Sequence, residues 1–126
     1  MDGDPGNPAV GVFDSHELVA RCLGNLELAE RVLAKFRSRF VEDLAELEQA
    51  ALAEDASHVA IVAHRLKGSS ASTAAHALCE RAAEIETLAR RNAIAEIPSR
   101  LHGLRSEWAR FVEKAAPPGL FARHGQ

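Results

Sequence analysis

Apolar residues recur along this chain in steps of three and four, the spacing that lines one face of an α-helix. The longest series is Ala29, Leu33, Phe36, Phe40, Leu44, Leu47 and Ala51, and it predicts a helix from about Leu26 to Leu52. Arg31, Lys35, Arg37, Arg39, Glu42, Glu46 and Glu48 fall off that stripe and read as a solvated face that runs from basic to acidic. A second series, Val59, Val62, Leu66, Ser70 and Thr73, predicts a helix over 56–72, with Asp55 placed to cap it. Leu78, Ala82, Ile85 and Ala89 define a helix from about Ala75 to Arg91. Leu101, Leu104, Trp108, Phe111 and Ala115 define one over 98–115, with Pro98 in its first turn and Pro117-Pro118-Gly119 as its stop. Ahead of these four, Asp14 or Ser15 caps a short helix that ends near Leu23 at the Gly24-Asn25 stop signal.

Four long apolar stripes joined by short connections predict an all-α fold, an antiparallel up-down-up-down four-helix bundle with a short N-terminal capping helix. Residues 1–12 form a flexible N-terminal arm in this reading, since Gly3, Pro5, Gly6 and Pro8 oppose regular structure. Residues 13–116 form the bundle and 117–126 a loose tail. The short helix carries Leu18, Val19 and Cys22, a large apolar side for its length, so these residues either plug the bundle or face a partner.

Composition narrows the picture. Of the 126 residues, 47% are apolar but only 5% aromatic, and the dominance of alanine and leucine favours helix over sheet. The net charge of -3 offers no general attraction to nucleic acid. Two cysteines, Cys22 and Cys79, are too few for a disulfide framework and fit a reducing cytoplasm. There is no apolar run of the ~20 residues a membrane span needs, and the acidic, Pro/Gly-rich N-terminus does not resemble a signal peptide. Met1 and the loose termini point to a free-standing protein, and the mutually buried stripes point to a monomer.

The stretch Ala63-His64-Arg65-Leu66-Lys67-Gly68-Ser69-Ser70-Ala71-Ser72 holds the candidate chemistry. At 100° per residue, His64 lies roughly 140° from the centre of its helix's inner line, Gly68 roughly 180°, Ile61 roughly 200° and Lys67 roughly 80°. The imidazole therefore points outward, beside a cation and a glycine. Glycine within a helix costs ~1 kcal/mol relative to alanine, so Gly68 needs a reason, and room for a partner's backbone supplies one. Neutral imidazole has a nucleophilic nitrogen near neutral pH, and Lys67 is placed to offset charge added to the ring. The residues read as a phosphorylatable histidine. Glu86, at the edge of the next helix, is a candidate to orient the ring and equally a flanking ion-pair residue.

The octapeptide His64-Arg65-Leu66-Lys67-Gly68-Ser69-Ser70-Ala71 resembles the H-x-L-K-G-S-[SA]-A signature of histidine-containing phosphotransfer (HPt) domains. The likeness extends over roughly residues 15–115, through Phe36, Leu44, Asp55, Ala75, Leu78 and Ile85-Glu86. It implies a four-helix bundle with a short extra helix. It also implies a phosphocarrier without a kinase domain, in which His64 accepts a phosphoryl group at Nε2 from a receiver-domain aspartate and passes it to another receiver. Lys67 would neutralise the phosphoryl group and Gly68 would let the receiver dock, on a surface assigned to Ile61, Gly68 and Ala71 with Leu18, Val19 and Cys22. Partners would be response-regulator receivers or a hybrid histidine kinase. No cofactor is expected on this chain, magnesium belonging to the receiver. One position departs from the pattern: the family carries a glycine in the turn after the histidine helix, where this chain has Thr73-Ala74-Ala75.

Other classes fit less well. A histidine-kinase dimerisation helix has an acidic residue after its histidine, and here that residue is Arg65. His16, His58, His64, His76, His102 and His124 include no H-x3-H pair or cysteine cluster for a metal. Cys79 reads as a packed residue. A bundle that binds a receiver through the His64/Gly68 patch without becoming phosphorylated is the remaining alternative.

Overall fold

A computed structural model describes residues 11–115, and every regular element in that range is helical. The order is α1 (Ser15–Arg21), α2 (Leu26–Leu52), α3 (Ala56–Ser72), α4 (His76–Arg90), a 3-10 turn (Ile94–Glu96) and α5 (Ile97–Ala115). The expected arm at 1–10 and tail at 117–126 lie outside the described residues. Gly11 and Val12, which the sequence places in the arm, are held: the Gly11 carbonyl accepts from the Ala77 N–H at 3.1 Å.

The starts of the first three helices follow side-chain chemistry. Asp14, Asn25 and Asp55 each accept a hydrogen bond from the N–H three residues on, at 3.0, 3.0 and 3.1 Å. Four helices end in one way. In α1 to α4 the residue after the C-cap takes a positive φ: Leu23 at 56°, Glu54 at 54°, Ala74 at 61° and Asn92 at 58°. Each end closes with the paired bonds of a Schellman motif, such as Ala75 N–H to the Ser70 carbonyl and Ala74 N–H to the Ala71 carbonyl. None of these four positions is glycine, so Leu23, Glu54 and Ala74 accept a left-handed backbone that costs L-residues roughly 1–2 kcal/mol each. The tightness of the connections is bought with that strain.

The core runs along the expected stripes, with shifts at their edges. Ala29, Leu33, Phe36, Phe40 and Leu47 of α2 are buried, while Leu44 and Ala51 sit at the rim and Asp43 and Ala50 turn inward. Trp108 is half-buried, stacked on Phe40 with centroids 4.1 Å apart, and Phe36 and Phe111 meet edge to face at 5.3 Å. Phe13 closes this aromatic cluster from outside α1, 5.4 Å from Phe111. Between α4 and α5, buried Arg81 faces Glu107 at 3.6 Å.

The assignment of Leu18, Val19 and Cys22 to a docking surface needs correction. Leu18 and Cys22 are buried core residues, and Val19 packs against them half-buried. A seven-residue helix has one face, and α1 spends its own on the core. The exposed apolar residue here is Leu23, 94% exposed just beyond the helix.

Helix α3 packs against α2 on one side and α4 on the other, and α5 packs against α4 and α2. The α3–α4 contact is the most extensive. Its buried residues include Ala60, Ala63 and Ser70 of α3 and Ala82 and Ala89 of α4, small side chains that let two helices approach closely. That approach puts a long side chain of α4 within reach of the outer face of α3.

Candidate functional site

His64 stands on the outer face of α3, with its side chain 64% exposed. Ile61 and Gly68, one turn before and one turn after it, share that face; Ile61 is 59% exposed. A Cβ built on Gly68 would meet nothing within 4 Å. The fold itself therefore makes no demand for glycine there.

Glu86 reaches across from α4. Its Oε2 lies 3.1 Å from His64 Nδ1 and its Oε1 2.9 Å from Lys67 Nζ. Arg90, one turn further along α4, donates to Oε2 from Nε at 2.9 Å and from Nη2 at 2.7 Å. One carboxylate, its side chain 9% exposed, thus collects an imidazole and two cations. Burial alone would raise its pKa, but hydrogen bonds from Lys67, Arg90 and His64 outweigh burial and hold it at about 2, from an ordinary 4.5. A carboxylate ionised so firmly is an acceptor only, so the proton of neutral His64 sits on Nδ1. The lone pair is then on Nε2, the nitrogen that faces away from the carboxylate. In this geometry the nitrogen left open carries the lone pair that nucleophilic attack needs.

Two further histidines pair with carboxylates in the opposite sense. His58, also on α3, turns Nε2 to Glu46 Oε2 at 2.7 Å, and His76 of α4 turns Nε2 to Glu17 Oε1 at 2.7 Å. In both, the nitrogen at the tip of the ring is occupied. Arg65, next to His64 in sequence, points the other way and bonds Asp43 and Glu46 of α2, each at 3.0 Å. Hydrogen bonds from His58 and Arg65 hold Glu46 below the usual carboxylate range.

The remaining sequence candidates separate clearly. His64, Lys67 and Glu86 come together, and Ile61 and Gly68 flank them. Ala71 lies half-buried at the end of α3, its carbonyl accepting from the Arg21 guanidinium. Cys79 is half-buried and burial pushes its thiol up, away from the thiolate a nucleophile needs. Arg90 was not singled out from the sequence; its signal there is the i, i+4 spacing from Glu86, a pattern common on any helix. The recess lined by Phe13, His16, His76, Cys79 and Lys114 does not include His64.

Among the described residues every regular element is helical, and His64 presents an imidazole that is held at Nδ1 and 64% exposed. The comparison with protein families agrees: a model of the Hpt domain matches residues 31–114, two thirds of the chain and all of α3 and α4. The chain belongs to the Hpt domain family, and with it to His–Asp phosphorelay signalling, whose receiver domains and histidine kinases are its partners in kind. No curated protein and no solved structure matched it. Among the described residues no helix is long and apolar enough to cross a membrane.

Proposed function

We propose that this protein is a cytoplasmic phosphocarrier of a multistep His–Asp phosphorelay, with His64 as phosphoacceptor. The observation that carries the reading is the Glu86 bond to Nδ1, which leaves Nε2 free with its lone pair outward. In the forward step Nε2 attacks the phosphorus of a receiver's aspartyl phosphate in line. The Nε2–P bond forms, the P–O bond to the aspartate breaks, and the carboxylate leaves. The ring keeps its Nδ1 proton and gains positive charge, which the ionised Glu86 offsets without taking the proton. A second receiver's aspartate reverses the step. Lys67 serves the phosphoryl oxygens. Magnesium belongs to the receiver in this scheme, and no kinase activity or cofactor is assigned to this chain.

The receiver docks over Ile61 and Gly68, with Ala71 at the edge and Leu23 as the apolar contribution from the end of α1. We read the four long helices as the up-down-up-down bundle that holds this face rigid, with α1 capping it, the whole acting as a monomeric domain over 13–116.

The test is to mix the protein with aspartyl-phosphorylated receiver domains and follow the label. Acid-labile, base-stable phosphate on the wild type and none on His64→Gln is expected. Label on His64→Gln would move the site elsewhere. Receiver binding with no label on either protein would favour an adaptor that docks through the same patch.

A further inference from the structure

We propose that Arg90 is a positioning residue, the anchor that keeps Glu86 on His64 Nδ1 while Lys67 attends to the phosphoryl group. The proposal rests on the reading of His64 as a phosphoacceptor oriented by Glu86. Lys67 has two claims on it: in the resting protein its ammonium bonds Glu86 Oε1 at 2.9 Å, yet a phosphoryl group on Nε2 draws the same ammonium. When Lys67 turns to that group, Glu86 loses one of its two contacts to α3 and keeps only the bond to the imidazole it has to orient. What then holds the carboxylate is Arg90, which places two N–H groups on Oε2, the oxygen that also meets Nδ1.

The geometry suits this role. Arg90 sits one turn beyond Glu86 on the same helix, so its grip does not depend on how α3 and α4 shift. A guanidinium is always charged and presents its donors as a rigid fork. A glutamate side chain has several rotatable bonds to immobilise, and an acceptor that wanders does not fix a tautomer. Fixing it matters because an unrestrained histidine side chain favours the proton on Nε2, which hides the lone pair needed for attack. An ordinary exposed i, i+4 ion pair contributes little. This one differs in that its acceptor is 9% exposed and shared with the histidine, although Arg90 itself is 60% exposed.

The experiment reads the His64 tautomer by 15N NMR of the side chain in the full, unphosphorylated chain, with no receiver required. Wild type is expected to carry its neutral-form proton mainly on Nδ1. K67Q removes the Lys67 contact as a phosphoryl group would, and should keep a tautomer ratio near wild type, because Arg90 suffices. In K67Q/R90Q the ratio of the Nδ1–H to the Nε2–H form should fall about tenfold from that of K67Q, equivalent to about 1.4 kcal/mol, and K67Q/R90K should recover most of it. With both side chains partly exposed the double variant folds normally, which the backbone spectrum checks, so a purely structural role would leave the tautomer unmoved. A ratio in K67Q/R90Q equal to that in K67Q overturns the proposal. E86A separates the two levels: if E86A shifts the ratio and K67Q/R90Q does not, Arg90's role alone falls. If E86A also leaves it unchanged, the orienting role of Glu86 is wrong and the proposal falls with it.

Discussion

Helix α3 carries two histidine–carboxylate pairs that look alike in a contact map and differ in chemistry. His64 gives Nδ1 to Glu86 on α4, and His58 gives Nε2 to Glu46 on α2. The first arrangement leaves the tip of the ring open; the second uses it up. The acceptors differ too. Glu86 is 9% exposed and ringed by Lys67, Arg90 and the imidazole, whereas Glu46 is 39% exposed and shared with Arg65. A carboxylate near a histidine is therefore not enough to define a phosphoacceptor. In the proposed function the two pairs are told apart by which nitrogen is bound and how firmly its acceptor is held.

The largest effect that can break this contrast is loss of the imidazoles themselves. His64→Gln is expected to lower phosphoryl uptake from a receiver by at least about 1000-fold, the scale of a missing nucleophile, while His58→Gln stays within about twofold of wild type. Next come the acceptors. Glu86→Ala should slow transfer about 10- to 100-fold, the range for partners that orient a functional histidine, and Glu46→Ala should not change the rate, both measured by single-turnover transfer. Gly68→Gln sharpens the comparison from a third side. With nothing near its Cβ, the variant should gain about 0.5 kcal/mol of stability by helix propensity, read by urea titration, yet transfer about tenfold more slowly because the patch is obstructed.

The last effect is on stability in acid and does not involve transfer. Glu86 holds its proton less tightly folded than unfolded, with a pKa of about 2 against an ordinary 4.5. Between those values the unfolded chain binds more protons, so stability is fully present above about pH 4.5 and is lost as pH falls toward 2. With its partners half-exposed, the loss should be about 1–2 kcal/mol after screening, and Glu86→Ala should flatten that part of the stability curve.

Much of this was legible in the sequence for physical reasons. The α2 and α3 ranges match their predicted bounds because the apolar stripes are long and Asp55 caps as expected. The outward direction of His64 followed from counting residues around a helix. Three features were less legible. Leu18 and Cys22 were assigned to a surface because a short helix gives too few turns to show which side is covered. Asp43, Arg81 and Glu107 are buried polar residues, each with a partner on another helix that spacing along one helix does not reveal. Arg90 was hidden in plain view, an i, i+4 pair whose importance depends on a histidine on another helix. Ala74, where the family pattern has glycine, keeps glycine's backbone at φ 61°. The turn takes a left-handed backbone though its residue is not the one that favours it.

The central claim is that Glu86 on Nδ1 makes Nε2 of His64 the phosphoacceptor. The most direct measurement is 31P and 15N NMR of the protein after phosphorylation by a receiver, with the phosphorus–nitrogen coupling assigned to one ring nitrogen of one histidine. The account predicts a single phosphohistidine, at Nε2 of His64. Phosphate on Nδ1 of His64, or on His58 or His76, would contradict it.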